Sequence, residues 1–96
     1  MEETQDGDRF GDILFYGVGS DTNSAQSARI NITQDGAAGT TRCPAKIDIL
    51  TSPGGTTAPV IHLTVRADGG IEMPTLRTTA GLTGELWNDS GTLKIS

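Results

Sequence analysis

Large apolar side chains are scarce in this chain. Only 34% of its 96 residues are hydrophobic, against about 45–50% with glycine counted in a typical globular domain. The aromatic residues are Phe10, Phe15, Tyr16 and Trp87. A domain this small already buries a low fraction of its surface. Little apolar burial is therefore left to oppose chain entropy. Disulfides, metals or association are the usual remedies for a small core. Cys43 is the single cysteine, which excludes an intrachain disulfide. His62 is the single histidine, too few ligands for a Cys/His zinc site within one chain. Association remains by elimination. Disorder is its rival, but the apolar residues are clustered and periodic rather than diluted.

Positive charge is also short. The net charge is −5, and no basic cluster offsets the repulsion from nucleic-acid phosphates. No nucleic-acid partner is expected. No apolar run approaches membrane-spanning length, so no membrane insertion is expected either. Residues 1–10 are acidic and polar, unlike a secretory signal. The expectation is a soluble chain made in a cytoplasm, with which the lone Cys43 is compatible.

What the chain does have is an internal repeat. Gly11-Asp12-Ile13-Leu14-Phe15, Ala28-Arg29-Ile30-Asn31-Ile32 and Ala45-Lys46-Ile47-Asp48-Ile49 each read small, charged, apolar, variable, apolar. Ile13, Ile30 and Ile47 are spaced 17 residues apart. Ile61-His62-Leu63-Thr64-Val65 continues the alternation. A period of two with β-branched residues predicts half-buried strands, with residues 61, 63 and 65 on one face. Turn formers separate the strands: Gly17-Val18-Gly19-Ser20-Asp21, Gln34-Asp35-Gly36, Ser52-Pro53-Gly54-Gly55 and Asp68-Gly69-Gly70. No stretch has a convincing helical period. Residues 24–32 admit a weak helix, but Ile30, Thr33 and the Asp35-Gly36 stop favour a strand. Many short strands with Gly- and Pro-rich turns predict an all-β fold.

Three regions follow. Residues 1–11 form an extended acidic arm, either docked on a partner surface or a disordered tail. Residues 12–73 form the repeat β module. Residues 74–96 form a linker and a C-terminal β-hairpin, with Leu86-Trp87 and Thr92-Leu93-Lys94-Ile95 around a loop of about four residues, Asn88 to Gly91.

A repeat of this length invites a solenoid. A single-chain solenoid needs apolar residues on every side of each coil, yet residues 33–46 offer only Ala37, Ala38, Cys43 and Ala45. Each repeat carries one apolar strip. Identical chains around a rotation axis supply the missing strips. A two-sheet sandwich within one chain is the alternative.

The motifs also carry a resemblance. Gly11-Asp12-Ile13-Leu14-Phe15-Tyr16-Gly17, Ala28-Arg29-Ile30, Asp35-Gly36-Ala37-Ala38-Gly39 and Ala45-Lys46-Ile47-Asp48-Ile49-Leu50-Thr51 resemble a segment of tailed-bacteriophage fibres and related virion proteins. Leu63-Thr64-Val65-Arg66-Ala67-Asp68-Gly69-Gly70-Ile71 resembles the following element, with a shorter turn. The ending from Gly84 to Ser96 is similar to the C-termini of phage structural proteins. The chain departs from the pattern at Ala45, Ile49 and Cys43-Pro44. The resemblance implies an intertwined homotrimeric β-helix or β-prism fibre located in the virion. It implies attachment to other virion proteins, of tail or capsid, or to a host cell-surface glycan or protein. The expected trimer core is Ile13, Phe15, Ile30, Ile32, Ile47, Ile49, Ile61, Leu63 and Val65. A capsid cement protein, a fragment of a polysaccharide-depolymerising tailspike and a monomeric β-sandwich binding domain are the alternatives.

No catalytic constellation, cofactor motif or metal set stands out. His62 sits on a strand, on the face opposite the apolar strip. Asp21, Asp35, Asp68 and Asp89 lie in turn contexts, which explains them, and no loop has calcium-binding spacing. Gly17-Val18-Gly19 lacks the third glycine and helix of a dinucleotide site. Cys43 has no histidine near it in sequence to activate it. Tyr16 and Trp87 are candidates for an interface or a sugar-stacking platform, with packing the simpler role for Trp87. The strip assignment predicts that Ile47→Asp abolishes folding and assembly together, because a shared core cannot hold an unpaired charge. A soluble, native-mass assembly of that variant contradicts the assignment.

Overall fold

The computed structural model describes residues 2–54 and 58–96. The fold is all-β, without a helix among these residues, and comprises two antiparallel sheets. The first is a five-stranded meander of β1 (Arg9–Val18), β2 (Ser24–Gln34), β3 (Ala45–Thr51), β4 (Val60–Val65) and β5 (Ile71–Glu72), in that spatial order. The second is the hairpin of β6 (Leu86–Asp89) and β7 (Thr92–Ile95). The segment that admitted a weak helix is β2. The turn at Ser52-Pro53-Gly54-Gly55 lies partly outside the described residues, as does Met1.

The large sheet is one layer thick. The chain's radius of gyration is 16.7 Å, with extents of 47 × 42 × 17 Å. A compact domain of this length has a radius of about 12–13 Å. Among the described residues no apolar side chain is buried; the buried residues are Gln34, Asp48 and Thr64. Sheets normally bury one face against another layer, and here, among the described residues, neither a second sheet nor a helix lies on this one.

The register explains which residues share a face. Ile13 faces Ile30, which faces Ile49, which faces Leu63. The adjacent row runs Gly11, Ile32, Ile47, Val65 and Ile71. The ladder shifts by one residue between Ile49 and Leu50, so that Leu50 pairs with Ile61 and Thr51 with Val60. His62 is the extra residue. This irregularity corrects the expected face of Ile61: it joins the row of Leu14, Arg29 and Leu50 on the other side. Val60 takes its place beside the strip.

The opposite face carries that row of Leu14, Leu50 and Ile61 beside a polar, internally paired row. Its central row is Asp12, Asn31, Asp48, Thr64 and Glu72. Arg29 donates to Asp12 at 2.8 Å and to Asn31 at 2.5 Å. The Thr64 hydroxyl donates to the buried Asp48 carboxylate at 2.6 Å. Arg66 bridges Asp35 at 3.0 Å and Glu72 at 2.9 Å.

The acidic arm docks on its own chain. β1 begins at Arg9, inside the segment expected to be arm, and residues 4–8 wrap the end of β2. Gln34 is the anchor, only 1% exposed. Its backbone N–H donates to Asp8 O and its carbonyl accepts from Gly7 N–H. Its side-chain amide donates to the carbonyls of Thr4 and Gly36, and Asp6 accepts from Gly36 N–H.

The C-terminal hairpin turns on two residues rather than about four. Ser90 (φ 51°) and Gly91 (φ 96°) both adopt positive φ, the two-residue geometry that matches strand twist. Asn88 Oδ1 accepts from Gly91 N–H and closes the turn.

Thr64→Val removes the donor of the buried Asp48 carboxylate. It should cost about 1–3 kcal/mol, read as a lower denaturant midpoint. An unchanged midpoint contradicts a stabilising role for this pair.

Candidate functional site

The feature that sets this molecule apart is the bare apolar face of the meander. Within its two central rows every side chain is aliphatic except at Gly11, and none is charged. The strands place it there through their period of two, which also sends Asp12, Asn31, Asp48 and Thr64 to the far side. Ile13 is 56% exposed and Phe15 49%, while Ile32, Ile47, Ile49 and Val65 are each between 37% and 40%. Ile30 and Leu63 are half-buried by their neighbours in the row. The structure brings eight of the nine expected core residues together on this face. Ile61 is the exception, for the register reason given above.

Two apolar residues join the face that the sequence pattern did not single out. Ile71, paired with Val65, extends the second row onto β5 and is 63% exposed. Val60, opposite Thr51, borders the strip on β4. A two-residue strand is too short to show a period, and Val60 only changes face through the shift at His62.

The area left open is large. The chain exposes 6984 Å², whereas a folded monomer of 10.0 kDa exposes about 5,200 Å². The excess is about 1,700 Å². A standard interface takes about 800 Å² from each partner. The surplus belongs to the whole flat chain, with both faces and the loops included.

The other singled-out residues resolve one by one. His62 shares a hydrogen bond with the Thr75 hydroxyl in an open groove beside Arg77 and Glu85. Trp87 is half-buried, and the Lys94 ammonium lies 5.8 Å from its ring centroid. Lys94 also pairs with Asp89 at 2.5 Å. One indole face is thus already occupied by a cation. Tyr16 is 59% exposed at the far end of β1.

Asp21 and Asp68 act within their turns, accepting from Asn23 and Gly70 N–H. The Asn23 backbone and side-chain amides hold the Asp21 carboxyl below the usual carboxylate range. Asp35 does more than its turn context implied, since it ties β2's exit to Arg66 and to Ala67 N–H across the sheet. Cys43 is exposed, with the Thr4 hydroxyl 3.7 Å from its sulfur. Among the described residues no three His, Cys, Asp or Glu side chains come together as a metal-binding group.

Comparison with known proteins finds no matching family model, no matching curated protein and no matching solved structure. The functional reading therefore rests on the face itself and on the sequence motifs.

Proposed function

We propose that the chain is a non-catalytic structural subunit of a bacteriophage virion, a homotrimeric fibre or spike module. The observation that carries this reading is the uncharged apolar face, which has no covering layer among the described residues. Such a face is unfavourable in water at about 25 cal/mol per Å² of apolar surface. Covering it with copies of the same chain supplies the missing core without a disulfide or a metal. In a cyclic trimer each chain meets two neighbours, so the face of every copy is covered. The phage setting rests on the ordered motifs from Gly11 to Ser96 described above.

In this role the work is mechanical. The trimer displays its loops and attaches the particle to a host surface, or joins one virion protein to another. The open loops at the strand ends carry the recognition.

Native mass spectrometry of the purified chain should give three copies, and antibody labelling of intact particles should decorate the tail. A folded monomer at micromolar concentration overturns the trimer. Labelling spread over the capsid shell assigns the chain to capsid cement instead.

A further inference from the structure

Residues 76–96 are tied mainly to themselves. Asn88 N–H donates to Arg77 O at 2.7 Å, Gly84 N–H to Ser96 O at 2.7 Å and Ser96 N–H to Glu85 O at 2.8 Å. The Ser96 hydroxyl accepts from Gly81 N–H at 3.1 Å. Arg77 and Glu85 approach to 3.8 Å. These contacts fold the segment before β6 onto the open end of the hairpin. A two-stranded hairpin is marginal alone in water, and here its own leading segment braces it.

Toward the meander the same unit has little. Among the described residues, neither β6 nor β7 lies against any strand of the five-stranded sheet. The chain crosses through the turn Met73–Leu76, closed by Leu76 N–H to Met73 O at 3.1 Å. Pro74 stands at its second position with a fixed φ, so few bonds rotate there. Beside the turn, His62 Nδ1 shares a hydrogen bond with the Thr75 hydroxyl. From Val60 to Met73 this is the single side-chain hydrogen bond to the C-terminal unit. His62 is placed for it by the irregularity of β4, where it is the extra residue. β5 pairs only with Thr64 and Val65, so it leaves the edge of β4 bare at His62.

The two bodies enclose an open groove of about 370 Å³. His62 and Met73 form its sheet wall, Leu76 and Leu86 line the opposite wall, and Thr75 sits at the pivot. Swinging the unit toward the sheet would take Met73, Leu76 and Leu86 out of water, which is favourable. The hydrogen bond at the pivot opposes that swing.

We infer that residues 76–96 turn as one body about the Met73–Leu76 turn, and that the His62–Thr75 hydrogen bond is the latch that fixes their angle with the groove open. This is a hinge closure in which a turn absorbs the change in dihedral angles. The latch acts within one chain and does not depend on how many chains assemble. Released, it lets the hairpin change its direction relative to the sheet while both bodies keep their own hydrogen bonds.

Distances between paired spin labels test the latch. In a Cys43→Ser background, Ala67→Cys and Leu82→Cys carry labels on the two bodies. Ser20→Cys and Ala67→Cys form a control pair within the meander. Each doubly labelled chain is assembled with a large excess of unlabelled chain, and the native mass is checked. With Thr75 intact, the Ala67–Leu82 pair should give one narrow distance. Thr75→Val should add a second population, Thr75→Ser should restore the single one, and the control pair should stay narrow throughout. A single narrow distance retained in Thr75→Val overturns the latch, as does a broad distribution with Thr75 intact. Broadening of the control pair together with the test pair overturns the hinge, since the whole chain has then loosened. Should Thr75→Val fail to fold, His62→Leu carries the same expectation from the other side of the bond.

Discussion

A β-sheet with one uncharged aliphatic face must have that face covered. Nearly everything else in this molecule is consistent with that constraint being met from outside the chain. The meander hydrogen-bonds its strands side by side and pairs Arg29 with Asp12, and Arg66 with Asp35 and Glu72, on its polar side. It does not supply a second layer. The polar groups that are buried, Gln34, Asp48 and Thr64, are held by hydrogen bonds rather than by an apolar core. A single layer of this kind buries too little apolar area to balance the entropy of ordering the chain.

The two faces divide the labour through alternation alone. From Gly11 to Phe15 and along β3, odd-numbered positions point to one side and even-numbered positions to the other, so Ile47 and Ile49 are separated from Lys46, Asp48 and Leu50 by a single step. On the polar side, Arg29 lies across the sheet between Leu14 and Leu50 and reaches Asp12 and Asn31. Its aliphatic stem lies among apolar neighbours while its guanidinium stays paired. The contrast gives the sheet one uncharged side and one side that carries its charges.

The strands were legible because their signal is local. β-branched residues at every second position, cut by glycine and aspartate turns, place β1 to β4 without reference to the fold. Eight of the nine expected core residues share a face for the same reason. Ile61 was not legible because a one-residue shift in the ladder at His62 is decided by how β3 and β4 meet, and no alternation encodes it. The docking of the arm was hidden too. It depends on backbone groups of Thr4, Gly7 and Asp8 meeting one glutamine, which leaves no pattern in the residue types. Asp35 reads as a turn residue in sequence, and only the three-dimensional return of Arg66 reveals its second task. The hairpin turn was misjudged in length because Asn88 and Asp89 are turn formers that here sit at the end of a strand.

The central claim is that folding and assembly are one event. Equilibrium denaturant unfolding measured over a hundredfold range of chain concentration tests it most directly. If the apolar face is completed by other copies, the midpoint rises with concentration, because mass action stabilises only the associated state. A cooperative transition whose midpoint is the same at every concentration would contradict the account, since it would mean that one chain holds this sheet together alone.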